Sequence, residues 1–243
     1  MKKSLTRINK YLSEVGYCSR RAADKLIDEK RVTINGVVPE MGTKIASGDV
    51  VKVDGKLIVA STEKPVYIAF NKPVGVVCTT DAKVEKNNII DYIKYPKRIF
   101  PIGRLDKPSE GLIFLTNDGD IVNKILRARN KHEKEYVVSV NKVLNNDFIQ
   151  TMGNGIPILD GITRKCKVEL INKFTFKIIL TQGLNRQIRR MCEYLGYHVV
   201  RLQRIRIMNI SLDLAVGEWR YLTEEELNDI NSSVASSFKT NTD

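Results

Sequence analysis

Between Pro101 and Asp120 the chain reads PIGRLDKPSEGLIFLTNDGD, which sets one carboxylate, Asp106, in a polar turn between a Gly-Arg pair and an apolar run. The run LIFLT reads as a buried strand, so Asp106 is expected at the mouth of a sheet rather than inside it. A carboxylate so placed can bind a metal, orient a nucleophilic Ser or Cys, or act itself as nucleophile or base. No second carboxylate or histidine stands nearby with supporting spacing, and no G-x-S-x-G or Cys/His signature occurs. Taken by itself, an Asp among Gly, Pro and Ser is ordinarily a surface turn residue bonded to its own backbone. Other segments must decide the matter.

The elements that would position Asp106 fall into two parts. In the first 60 residues, Ile8, Leu12 and Val15 recur at helical spacing and Gly16 can end that helix. Ser19 reads as the N-cap of a second helix running to about Lys30, with Ala23, Leu26 and Ile27 on its buried stripe. Short β-branched runs follow, separated by Asn35-Gly36 and Asp54-Gly55, dipeptides suited to tight hairpin turns. Residues 61–65 are expected to form a linker. From 66 to 232 longer strands (VYIAFNKP, LIFLTND, EYVVSV, KCKVELI, TFKIILTQG, VVRLQRIRIMNISL) alternate with helices near 120–129 and 185–195. This pattern predicts an α+β domain on a mostly antiparallel or mixed sheet flanked by helices. Thr223 and Glu226 form a capping-box pattern, and residues 233–243 are expected to be disordered.

Composition narrows the partners. Lys and Arg number 40 against 28 Asp and Glu, a net charge of +12, so a polyanion is favoured over a neutral small molecule. No apolar run approaches the roughly 20 residues of a spanning helix, and the basic start MKKSLTRINKYL lacks the apolar core of a signal peptide. A soluble, cytoplasmic, monomeric protein is expected, with no membrane partner. The four cysteines show no C-x-x-C spacing and there are two histidines, so reduced thiols and no metal site are expected. In the first part, Arg7, Lys10, Arg20, Arg21 and Lys25 concentrate on the helices, where they could line a phosphate backbone or simply form a solvated face.

FNKPVGVVCT (70–79), GRLDKPSEGLIFLTNDGD (103–120) and QGLNRQIRRM (182–191), in this order behind a small basic module, resemble the three motifs of the RsuA/RluA-type pseudouridine synthases. The N-terminal residues resemble an S4 RNA-binding domain. The later runs RIRIMNISL and VGEWRYLT are similar to the F branch of the ribosomal large-subunit synthases. The resemblance covers about Leu5 to Leu227. It implies an S4 domain followed by a synthase domain that isomerises one or two uridines of 23S rRNA near the peptidyl transferase centre. The substrate would be free RNA or a pre-ribosomal particle, with a tRNA as a further conceivable substrate and no cofactor.

The same resemblance assigns roles. Asp106 would be the catalytic carboxylate, acting either as a nucleophile or by removing the C2′ proton through a glycal. Arg189 would pair with it, and Tyr136 would stack on the target base. Ile188 would lie on the other side of the base, and Arg104 would wedge into the opened stem or hold a phosphate. Lys72 and Pro73 would shape the floor of the site, and Arg186 and Arg190 would touch phosphates. Against this reading stand a non-catalytic S4-type RNA-binding or ribosome-assembly factor and an S4-linked methyltransferase, the latter lacking a Gly-rich loop after a strand.

Overall fold

The computed structural model describes residues 5–59, 64–81, 85–126 and 131–235. Two compact units divide the chain between Pro65 and Val66. Of the expected linker, residues 61–63 lie outside the described residues, as do the last residues expected in the helix near 120–129.

In the first unit a short helix, Ile8–Glu14, buries Ile8 and Leu12 four residues apart, and Gly16 (φ +80°) turns the chain out of it. The Ser19 hydroxyl accepts from the Ala22 amide at 3.1 Å and starts the helix Arg20–Asp28, which buries Ala23 and Ile27. This helix stops two residues short of Lys30, because Lys30 itself takes a left-handed φ of 56°. Strands Val32–Ile34, Val51–Val53 and Lys56–Leu57 form an antiparallel sheet. Asn35 and Gly36, and likewise Asp54 and Gly55, have paired positive φ values, which suits tight turns in a twisted sheet. Val32, Ile45, Val51 and Val53 complete a core with the two helices.

The second unit is built on a nine-stranded mixed sheet. Its main path runs Lys167–Asn172, Thr175–Leu180, Lys134–Val140, Val199–Ile207, Glu110–Thr116, Tyr67–Lys72, Trp219–Tyr221. Phe100–Ile102 and Ile210–Ser211 pair at its sides. The joint between Val199–Ile207 and Glu110–Thr116 is parallel and short, with Gln203 opposite Glu110 and Arg204 opposite Gly111. All seven residues of Glu110–Thr116 are buried: Ile113 and Leu115 enter one apolar cluster, Leu112 and Phe114 the other. A strand covered on both faces reads in sequence as an unbroken apolar run.

The C-terminal segment differs from expectation. The capping box forms, with the Glu226 amide donating to the Thr223 hydroxyl at 3.2 Å and the Thr223 amide to the Glu226 carboxylate at 2.9 Å. The helix it starts, Glu224–Ala235, continues past 232 because Ile230 and Val234, one turn apart, are both buried. Residues 233–235 are therefore ordered, and 236–243 lie outside the described residues.

Gly111 (φ +109°) makes the parallel joint possible, since a Cβ there would stand 2.3 Å from the Arg204 carbonyl oxygen. Gly111→Ala combines a backbone clash with an unfavourable φ and should lower stability by about 3 kcal/mol. Urea denaturation of the full chain will measure it.

Candidate active site

Asp106 lies in the loop between strands Phe100–Ile102 and Glu110–Thr116. Local contacts hold that loop on every side. The Ser109 amide donates to the Asp106 carbonyl at 3.0 Å, and the Leu105 amide donates to the buried Cys78 sulfur at 3.3 Å. The Gly75 amide donates to the Lys107 carbonyl at 2.8 Å, and Lys107 pairs with Glu85 at 2.9 Å. The NKPVG segment thus serves as the bed of the Asp106 loop. Lys72 is fully buried and spends its ammonium on the carbonyls of Pro73 (2.9 Å) and Val76 (2.8 Å). Burial pulls its pKa down to about 8. Lys72 shapes the loop from beneath and is not among the residues lining the cleft.

Arg189 comes from the helix Gln187–Tyr194 and is 8% exposed. Its Nη2 donates to the Pro108 carbonyl and the Ser109 hydroxyl, each at 3.0 Å, and Nη1 to the Val199 carbonyl at 3.4 Å. Nε has no hydrogen-bond partner and stands 3.9 Å from Asp106 Oδ2. The expected pairing with Asp106 is therefore a charge contact, while the hydrogen bonds go to the loop two and three residues further on. Burial draws the Arg189 pKa down, and the Asp106 charge works against that shift. Among the described residues no donor hydrogen-bonds the Asp106 carboxylate, so its oxygens are available to a substrate.

Asp106 and Arg189 border a cleft of about 310 Å³, at the small end of the range for ligand sites. Tyr136, 8% exposed on the strand Lys134–Val140, and Ile188, 5% exposed, also line it, as do Arg104 and Arg186. The second and third sequence motifs thus converge here from separate segments. Arg104 is exposed at the mouth. Arg186 takes a left-handed φ of 49° at the start of the helix and stands 3.7 Å from Glu193. Arg190 does not line the cleft: its guanidinium donates to the carbonyl and side-chain oxygens of Asn185 at 3.0 and 3.1 Å and braces the turn before the helix. In the first unit, Arg20 and Arg21 are exposed, Lys10 pairs with Glu14 at 3.1 Å, and Arg7 is half-buried ahead of the first helix.

Residues that sequence reasoning missed also line the cleft: Lys134, Arg204, Gln182 and Gln187, all buried. The two Gln side chains hold backbone, accepting from the Arg164 and Leu184 amides at 2.6 and 3.1 Å. A signal for the cations existed. Lys134 lies two residues before Tyr136 and Arg204 two after Leu202, each on the inward side of an alternating strand.

Comparison with known proteins agrees with this geometry. The RNA pseudouridylate synthase family matches residues 66–194, and the S4 domain matches residues 6–51. A dual-specificity RNA pseudouridine synthase RluF of Salmonella typhi is 58% identical over 227 residues, covering 93% of this chain and 78% of that protein. The ribosomal large subunit pseudouridine synthase B of Bacillus subtilis is 36% identical over 232 residues, covering 92% and 94%. A crystal structure of a pseudouridylate synthase superposes with a TM-score of 0.69 at 28% identity, covering 92% of this chain and 99% of that one. With an S4 domain ahead of a mixed-sheet domain, and a cleft lined by the second and third motifs while the first beds the Asp106 loop, the chain belongs to the RNA pseudouridylate synthase family and is an RNA-modifying enzyme.

Proposed function

We propose that this enzyme isomerises uridine in 23S rRNA near the peptidyl transferase centre, with a tRNA uridine as a second substrate, and that Asp106 is its catalytic carboxylate. The observation that carries the reading is the Asp106 carboxylate, without a hydrogen-bonded partner among the described residues, set 3.9 Å from the buried Arg189 at the edge of a cleft lined by Tyr136. The relatives' names, one dual-specificity and one ribosomal large subunit, support two RNA classes and a ribosomal target.

In this reading the target uridine leaves its stack, since a paired base cannot reach a carboxylate in a cleft. Arg104, exposed at the mouth, fills the gap or holds a backbone phosphate. The base enters between Tyr136 and Ile188, two buried side chains of complementary shape, one aromatic and one aliphatic. The N1–C1′ bond breaks, the base turns, and C5 bonds to C1′ with loss of the C5 proton and gain of one at N1. Asp106 acts on the sugar or base as a nucleophile, or takes the C2′ proton, with the Arg189 charge 3.9 Å from its carboxylate. The exposed Arg20 and Arg21 supply phosphate contacts outside the cleft.

Tritium release from C5-labelled 23S rRNA and tRNA transcripts tests the proposal. Wild type should release tritium without an added cofactor, and Asp106→Asn should lose about a thousandfold or more while still binding RNA. Retained release in Asp106→Asn would remove the assignment. Arg189→Met strips the donors from Pro108 and Ser109 and should cost about 2 kcal/mol of stability as well as activity, read by thermal unfolding. Arg20→Ala with Arg21→Ala should weaken RNA binding and make the dependence of log Kd on log salt shallower by about 1 to 2; an unchanged slope would show that these arginines touch no phosphate.

A further inference from the structure

The cleft is lined by two buried cations with no carboxylate partner among the described residues. Lys134 is 8% exposed and Arg204 is 3% exposed, and both line the cleft. They lie on neighbouring antiparallel strands, Arg204 opposite Tyr136 and Lys134 opposite Ile207. The Arg204 guanidinium carbon is 6.0 Å from the centre of the Tyr136 ring. Lys134 Nζ donates only a long 3.3 Å bond to the His132 carbonyl. Arg204 Nε donates to the Leu112 carbonyl at 2.6 Å, while its Nη2 is buried without a hydrogen-bond partner.

The neighbouring carboxylates are engaged elsewhere. Glu110 holds Arg201 at 2.5 Å, Glu135 holds Arg206 at 2.6 Å, and Asp106 faces Arg189. Among the described residues no carboxylate lies within ion-pair distance of Lys134 or Arg204. Burial and the Arg204 charge together pull the Lys134 pKa down to about 8. Buried charges are ordinarily paired, and an unpartnered buried N–H is a standing cost unless something arrives to accept from it. In a cleft that takes RNA, the arriving group is part of the substrate.

We propose that Lys134 and Arg204 form a subsite for a negatively charged oxygen of the nucleotide drawn into the cleft. The inference rests on the reading of this cleft as the active site. Such an oxygen has two sources in the substrate. A backbone phosphate carries its charge from first contact. The uracil carbonyl oxygens acquire theirs when the N1–C1′ bond breaks and its electron pair passes into the ring, and lose it once C5 has bonded to C1′, the C5 proton has left and N1 has gained one. Two cations fixed in place before the reaction would stabilise either charge without reorganisation.

The test uses the full chain with Lys134→Met and Lys134→Arg. It measures affinity for a transcript that the wild type modifies, over a range of KCl concentrations, and single-turnover tritium release at saturating enzyme. Lys134→Met should lose tenfold or more in one of the two measurements, and Lys134→Arg, which keeps the charge, should recover most of it. Loss of affinity with a salt slope shallower by about 0.7 to 0.9 assigns the subsite to phosphate. Loss of rate at unchanged affinity assigns it to the uracil oxygens. Lys134→Met within twofold of wild type in both measurements would overturn the proposal, and so would equal losses in the Met and Arg variants. Where Lys134→Met fails to fold, Lys134→Gln takes its place under the same criteria. Tritium release surviving in Asp106→Asn would instead overturn the active-site reading beneath it, a distinguishable result.

Discussion

The buried guanidinium of Arg189 is the interaction on which the geometry around Asp106 depends. A cation removed from water must be met by acceptors, and here they come from two places in the chain: the Pro108 carbonyl and Ser109 hydroxyl of the Asp106 loop, whose Asp106 carboxylate adds a charge contact at 3.9 Å, and the Val199 carbonyl at the start of a central strand. One side chain therefore ties a helix, a loop and the sheet together. The Asp106 carboxylate keeps its position because Pro108 and Ser109 are held, and it stays open to substrate because the arginine's strongest bonds go past it.

The sheet supplies the frame for this clamp. Its two antiparallel halves meet at the two-residue parallel joint between Gln203–Arg204 and Glu110–Gly111, where the backbone of one strand approaches the other too closely for any side chain at 111. The Asp106 loop leads directly into this joint, and Arg204 leaves it toward the cleft. Close backbone packing and the charge in the cleft are consequences of the same few residues.

Much of this was legible in the sequence. Local chemistry marked Ser19 as a cap, Asn35-Gly36 and Asp54-Gly55 as turns, and Thr223/Glu226 as a capping box, because each depends on neighbours only a few residues away. The motif around Asp106 and that around Arg189 were visible as well. The helices Ile89–Ile93 and Asn146–Asn154 were not: the first is too short to show a period, and the second carries Asn, Asp, Thr and Gly, which propensity disfavours and only the burial of Phe148 and Met152 holds in place. The Arg190 bonds to Asn185 were hidden for a similar reason, since a helix arginine looks the same in sequence whether it braces a turn or faces RNA. Lys134 and Arg204 stood in alternating strands where their inward direction could be counted, but their lack of counter-ions depends on residues far away in the chain.

The Cys78 sulfur gives the Asp106 loop an internal reporter. It accepts from the Leu105 amide, one residue before Asp106, and burial holds its pKa above that of a free thiol. Both facts suppress alkylation while the loop is seated. The rate at which a thiol reagent modifies Cys78 therefore follows how often this segment lifts from its bed, and comparing that rate with and without RNA turns the stability of one loop into a clock for opening of the cleft.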